Sequence, residues 1–217
     1  MDISDCSSLT TLDLSNFRTS NVKDMEAMFY GCSSLISLNI DNFDTSLVTD
    51  MRSIFSRCNL LISLNITMFD TSKVKYMDWM FYGCSSLTTL DLNNLRTSNV
   101  RGMVGMLFNC SSLISLNIDN FDTSLVTDMR FMFYECNPLI SLNLTMFDTS
   151  KVKSMNNMFY GCFSLTTLDL SNFRTYNVIN TAGMFDGCYS LISLNIDNFY
   201  TSLVEYMSYM FYNCSSL

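Results

Sequence analysis

The sequence predicts an α/β repeat protein. We expect a right-handed solenoid of stacked coils with one parallel, in-register sheet on one wall and short helical or 3₁₀ segments on the other. Three observations carry this expectation. Cysteine stands at Cys6, Cys32, Cys58, Cys84, Cys110, Cys136, Cys162, Cys188 and Cys214, always 26 residues apart and with no insertion between. Each interval repeats one apolar pattern, close to C-S-S-L-x-x-L-x-[LI]-x-x-F-x-T-S-x-V-x-x-M-x-x-M-F-x-x. A 78-residue period lies over the first: the units opened by Cys6, Cys84 and Cys162 carry Arg18, Arg96 and Arg174, and those opened by Cys58 and Cys136 carry Met68-Phe69-Asp70 and Met146-Phe147-Asp148.

Taken in order along the unit opened by Cys32, Leu35, Leu38 and Ile40 are the inward positions of a short strand. Leu38 and Ile40 alternate with Ser37, Asn39 and Asp41, the period-2 signature of a half-buried strand. Phe43 turns the chain. Thr45 follows, and threonine fills that place in all eight full units; its hydroxyl suits a nearby backbone N–H, as in a helix cap or Ser/Thr turn. Val48, Met51, Ile54 and Phe55 are spaced as in a short helix or 3₁₀ segment. A second short strand from Val48 to Met51 fits the same residues. A single unit cannot bury its own apolar edge, so units must stack.

Residues 1–217 read as a single solenoid of eight 26-residue units starting at Cys6. A degraded first turn precedes them, with Asp2 and Ile3 in the Met28 and Phe29 columns. A partial ninth unit from Cys214 carries no polar cap, so either the chain is cut from a longer protein or another copy covers the end by end-to-end self-association.

The repeat turns each position into a column. Stacked thiols about 4.8 Å apart with parallel Cβ vectors suit a disulfide poorly, so all nine cysteines read as a buried, reduced core ladder. The methionine columns through Met25 and Met28 keep phase with Val22 and Phe29, which makes them core filling rather than a calmodulin-like binding face. The column Arg18, Asp44, Asp70, Arg96, Asp122, Asp148, Arg174 reads as a charge ladder between coils. Asn39, Asn65, Asn117, Asn143 and Asn195 separate Asp13, Asp91 and Asp169 and can form amide ladders. Asp41 with Asp44, and Asp119 with Asp122, offer carboxylates to calcium but lack a glycine-bearing ligand loop, and no metal or cofactor is assigned. Asn-x-Ser/Thr sequons occur at Asn65, Asn109, Asn143 and Asn213; Asn65 and Asn143, outward on the strand, are the pair a glycosylating host would use. Tyr30, Tyr82, Phe108, Tyr134, Tyr160 and Tyr212 form a broken stripe beside Trp79 and Phe131. The stripe is either an adhesive ridge or packing against the next turn.

Composition narrows the function. The net charge is −8 and there is no histidine. Ser-His-Asp and Cys-His catalysis are excluded, as are zinc sites that need an imidazole, and the acidic balance argues against nucleic acid. No apolar run approaches the ~20 residues of a membrane span. Met1-Asp2-Ile3-Ser4-Asp5 lacks the basic region and apolar core of a signal peptide. Strict repetition, with no irregular unit, argues against a unique active site.

The L-x-x-L-x-[LI] pattern resembles the strand signature of leucine-rich repeats. The whole unit, ending N-F-x-T-S-x-V-x-x-M-x-x-M-F-x-x-C, resembles the BspA-type leucine-rich repeats of microbial surface proteins, and the match runs through essentially the whole chain. Phenylalanine (Phe17, Phe43, Phe69) stands where common leucine-rich repeats place an asparagine ladder. The resemblance implies an extracellular or cell-surface, non-catalytic protein that adheres to protein or glycan ligands. The Asn39 column and the tyrosine stripe are its candidate binding surface. The alternative is a self-assembling structural fibre subunit.

Overall fold

A period of 26 places each residue beside its counterpart one coil on, and the backbone pairs accordingly. In the computed structural model, which describes residues 3–217, β1 (Thr11–Asp13) lies parallel to β2 (Ser37–Asn39), β3 (Thr89–Asp91) to β4 (Ser115–Asn117), and β5 (Thr167–Asp169) to β6 (Ser193–Asn195). Leucine meets leucine in each pair: Leu12 with Leu38, Leu90 with Leu116, Leu168 with Leu194. The strands are short because their last residue curls the chain. Asp13, Asp91 and Asp169 accept the backbone N–H two residues on at 2.9–3.0 Å, and Asn39, Asn117 and Asn195 do so at 3.2–3.4 Å, the Asx-turn geometry. Asp2, assigned to the first turn, lies outside the described residues.

The expected single sheet is divided into three two-stranded ladders. Pairing stops at the coils opened by Cys58 and Cys136. Side-chain amides take main-chain acceptors there. Asn94 Nδ2 bonds the carbonyls of Ile66 and Thr67 at 2.8 and 3.2 Å, and Asn172 Nδ2 bonds those of Leu144, Thr145 and Phe147 at 2.8–3.4 Å. Main-chain groups removed from water need a partner, and an amide side chain serves.

The opposite wall also departs from expectation. Among the described residues it contains no α or 3₁₀ helix. It is a ribbon of tight turns with isolated parallel bridges, such as Asp24 with Asp50 and Asp50 with Tyr76. Half of its amides close local turns: Met28, Tyr30 and Cys32 N–H bond the carbonyls of Met25, Ala27 and Phe29 at 2.9–3.3 Å. The alternate amides, of Met25, Ala27, Phe29 and Gly31, cross to the carbonyls of Asp50, Arg52, Ile54 and Ser56 at 2.8–3.0 Å. A helix would have kept all of these bonds within one coil, and crossing is what joins the coils. The second-strand alternative fits the crossing but not the turns.

The bridges of this ribbon lapse between Gly102 and Asp128, but its phenylalanine column, unlike the sheet, is joined at every step. Amide to carbonyl, the bonds from Phe29, Phe55, Phe81, Leu107, Phe133, Phe159 and Phe185 each reach the next coil at 2.9–3.0 Å. The geometry demands left-handed backbone twice per coil. Ala27, Ser53, Trp79, Phe131, Asn157 and Tyr209 adopt it at φ 54–62° with Gly105 and Gly183 in register, and Gly31, Gly83, Gly161 and Gly187 share the second column with Arg57, Asn109 and Glu135.

Between the walls lies a column core of Leu35, Leu61, Leu87, Val48, Val74, Met51, Met77 and their copies in the inner coils, all buried. Phe29, Phe55 and Phe81 stack at 5.6–5.7 Å between centroids, as do Phe133, Phe159, Phe185 and Phe211 at 5.5–5.6 Å. All nine thiols are free; Cys32 to Cys188 are buried, Cys214 is half-buried and Cys6 is exposed, outside the core column. Each buried thiol donates to the coil below: Cys58 to the Phe29 carbonyl at 3.2 Å, Cys84 to Phe55 at 3.1 Å, Cys110 to Phe81 at 3.3 Å.

Threonine acts between coils rather than locally. Thr123 Oγ1 donates to the Asp148 carbonyl at 2.9 Å and accepts the Asp148 N–H at 2.8 Å, and Thr149 treats Arg174 in the same way. The expected Arg–Asp ladder does not form ion pairs among the described residues. The ion pairs lie on the turn wall, Arg52 with Glu26 and Asp50 and Arg130 with Asp128. The aspartates of the expected ladder cap their own turns, as Asp44 and Asp122 do with the Ser46 and Ser124 N–H groups at 2.9–3.0 Å.

Candidate binding site

The candidate residues divide by wall. Asn65 and Asn143 are exposed on the sheet side, while Asn39, Asn117 and Asn195 are half-buried. Their amides are engaged close at hand. Asn65 Nδ2 donates to Asp41 Oδ1 at 2.8 Å and Asn143 Nδ2 to Asp119 Oδ1 at 2.8 Å, while their carbonyls accept the Thr67 and Thr145 hydroxyls at 2.8 Å. No Asn–Asn bond joins this column among the described residues, so the expected amide ladder gives way to Asx turns.

The turn wall brings the aromatics together. Tyr30, Tyr82, Phe108, Tyr134 and Tyr160 are half-buried and Tyr212 is exposed. Phe108 stacks on Tyr134 at 4.2 Å and Tyr134 on Tyr160 at 4.5 Å, with planes 3° and 7° apart. Tyr82 meets Phe108 edge-on at 5.1 Å. The stripe is thus neither a free ridge nor core. It is a stack of rings with one edge in water, and burial pushes the Tyr134 phenol up to about 12.

Beside it stand Trp79 and Phe131, both in the left-handed region at φ 58° and 62°, where bulky side chains are rare. Gly105 lies between them in the column, and a Cβ there would fall inside the Trp79 indole. The missing side chain lets the two rings approach to 6.2 Å across an intervening coil. Trp79 also meets Tyr82 and Phe108 at 5.7 Å. Six rings from four successive coils therefore form one continuous surface.

Two hollows adjoin Trp79. One, of about 380 Å³, is lined by Glu26, Arg52, Asp78, Trp79, Arg130 and Phe131 among others. The other, of about 360 Å³, is lined by Tyr30, Ser53, Ser56, Trp79, Tyr82 and Phe108. Both are within the size range of small-ligand sites, about 300–1,000 Å³. In the first, the half-buried Asp78 carboxylate accepts the Val104 N–H at 2.9 Å. Desolvation raises its pKa, against the lowering effects of that bond and of Arg52. Gly102 leaves room for it, since a Cβ there would strike the carboxylate. Arg52 lies over the Tyr76 ring at 5.3 Å.

Asp24, Glu26 and Asp50 bring carboxylate oxygens within 4.8 Å of one another, but Arg52 already bonds Glu26 at 3.0 Å and Asp50 at 2.6–3.0 Å. A guanidinium thus already occupies two of the three carboxylates. The buried cysteines are poor nucleophiles, because burial pushes Cys58 up to about 12 and Cys84, Cys110, Cys136 and Cys162 well above the ordinary thiol value, and the thiolate is the reactive form.

The repeat is not uniform at this place, contrary to the expectation of no irregular unit. Ser56, Arg57, Asp78 and Gly105 are site residues that column-by-column reading passed over. The signal was present as departures: serine where neighbouring coils carry rings, and glycine where they carry tryptophan and phenylalanine.

The sequence model of one family matches residues 2–115 and again residues 105–217; it is described as "Mycoplasma protein of unknown function, DUF285". No curated protein matches the chain. Among solved structures, the chain is similar to a leucine-rich repeat protein from Bacteroides ovatus, at 18% identity over 99% of this chain and 67% of that one, with a TM-score of 0.42. It is also similar to a leucine-rich repeat protein of T. pallidum, at 21% identity over 66% and 72% of the two chains, TM-score 0.37. A third is a leucine-rich cell-surface protein from Faecalibacterium prausnitzii, at 16% identity over 88% and 74%, TM-score 0.32.

Proposed function

The chain belongs to the DUF285 family, and from that premise we propose that it is a non-catalytic binding scaffold of the extracellular or cell surface, akin to BspA-type repeats. It adheres to macromolecular ligands, protein or glycan, through the aromatic surface of its turn wall. The observation that carries this is the ring cluster around Trp79. Rings half in water, flanked by hollows and by charged Arg52 and Asp78, match the anatomy of recognition surfaces, where aromatic and arginine residues are enriched. No helix among the described residues is long and apolar enough to cross a membrane.

The test is capture of ligands by the purified chain on arrays of proteins and glycans, repeated with Trp79→Ala and Phe131→Ala. Ligands that bind the native chain and are lost by both variants support the scaffold. Silence on both arrays, or binding indifferent to both substitutions, sinks it.

A second reading, end-to-end self-association into a fibre, draws on the strict register in which each coil stacks on the next, as Phe133, Phe159 and Phe185 do at 5.5–5.6 Å. Electron microscopy at micromolar concentration decides it: filaments support this reading and discrete particles remove it.

A further inference from the structure

The turn wall contains a stack of rings interrupted at Ser56 and again, by a charged residue, at Asp186. Its column runs Tyr30, Ser56, Tyr82, Phe108, Tyr134, Tyr160, Asp186, Tyr212, and the hollow lies at the serine. Wherever rings occupy consecutive coils they touch, at 4.2–5.1 Å between centroids. At the coil between Tyr30 and Tyr82 the column holds serine, and the 360 Å³ hollow opens there. Ser56 is 1% exposed, and its Oγ is buried without a hydrogen-bond partner, which is costly for a hydroxyl. Arg57 reaches over the gap. Its guanidinium carbon lies 5.5 Å from the Tyr30 ring and 5.6 Å from the Tyr82 ring, so a flat, exposed cation stands where the missing ring would stack.

We propose that this gap is a docking slot for a tyrosine side chain of a partner protein. The proposal rests on the scaffold reading and names the group recognised. A ring entering between Tyr30 and Tyr82 restores the stack on both faces and gains contact with Trp79 and Phe108. It enters tip first, from outside, so its phenol hydroxyl is the atom that reaches Ser56 Oγ. Phenylalanine would fill the gap and leave that oxygen unpaired. A saccharide would offer C–H faces and no π-system, and so would not continue the stack of rings. Arg57 must swing away for the ring to enter, and its exposed side chain is free to move into water.

Trp79 is the only tryptophan and lines the slot, so its fluorescence reports occupancy. The probes are N-acetyl-tyrosinamide, N-acetyl-phenylalaninamide and N-acetylglucosamine, titrated into the full chain and followed also by proton NMR. The native chain should saturate with the tyrosine probe, bind the phenylalanine probe about threefold to tenfold more weakly, and ignore the sugar. Ser56→Tyr supplies the missing ring from within and should lower tyrosine-probe binding at least about tenfold, with an unchanged circular dichroism spectrum. Arg57→Ala removes the place-holder from an exposed position and should tighten binding, which keeps the proposal testable if Ser56→Tyr misfolds.

No saturable response to the tyrosine probe overturns the proposal. So does equal affinity for both amino-acid probes, an unaltered affinity in a folded Ser56→Tyr chain, or looser binding in Arg57→Ala. Array ligands that survive Ser56→Tyr but are lost by Trp79→Ala would remove the slot and leave the scaffold standing. Tyrosine-probe binding on a chain that captures no macromolecule would do the reverse.

Discussion

At the scale of single residues, the repeated cysteine is a hydrogen-bond donor as much as a small hydrophobe. Cys110 Sγ meets the Phe81 carbonyl at 3.3 Å in a site with no access to water. Cys110→Ala should lower stability by about 1–2 kcal/mol, read from the urea midpoint. Burial holds these thiols above their unfolded pKa of 9.0, Cys58 at about 12. The folded chain therefore binds these protons more tightly than the unfolded one. The stabilisation is complete below about pH 9 and is lost as pH rises from there through about 12. The urea midpoint should hold up to about pH 9 and fall beyond it, less steeply in Cys110→Ala; a flat profile across that window would contradict the buried column. Thr123 serves the backbone in the same way. Thr123→Val keeps the shape but leaves the Asp148 N–H and carbonyl short of a partner, and should cost about 1–3 kcal/mol, whereas Thr123→Ser should cost clearly less.

At the scale of elements, the turn ribbon bears what the sheet was expected to bear. Its crossing amides form a continuous series while the sheet is interrupted at every third coil. The ribbon also builds the candidate site, since its left-handed positions present Trp79 and Phe131. Gly105→Ala tests that coupling. The added methyl would fall on the indole, at a position where left-handed backbone already disfavours a Cβ. We expect a loss of about 1–3 kcal/mol and a shift of the Trp79 emission to longer wavelength as the ring is driven into water. The element level is also where sequence reading was weakest. Met25, Met28 and Phe29 are spaced as on a helix, and i, i+3, i+4 spacing does not separate a helix from a series of turns that buries the same residues. Which carbonyl an amide chooses, four residues back or one coil on, is a matter of tertiary contact.

For the whole molecule, register is the organising quantity. Apart from the contact of Trp79 with Phe131 across one coil, each coil packs mainly on its neighbours, so stability should behave as a sum of coils and interfaces. Deleting residues 136–161, one full 26-residue period, should leave a folded chain with a proportionately smaller urea m-value. Deleting residues 136–148 puts every column beyond it out of phase and should abolish cooperative unfolding. Equal behaviour of the two deletions would refute the stacked-coil account.

The sequence by itself determined the period, the stacking, the columns that face inward and the absence of histidine chemistry, because strict repetition makes each position answer to its own copies. Leu35, Val48, Phe55 and Cys58 are buried with their copies in the inner coils, as their spacing requires. Tertiary structure decided what lies between columns. It set the division of the sheet at the coils opened by Cys58 and Cys136, the clamping of one coil by the threonine of another, and the hollow left where Ser56 interrupts the rings. Those features depend on distances between coils, and a one-dimensional pattern records which residue recurs but not which atom of the next coil it meets.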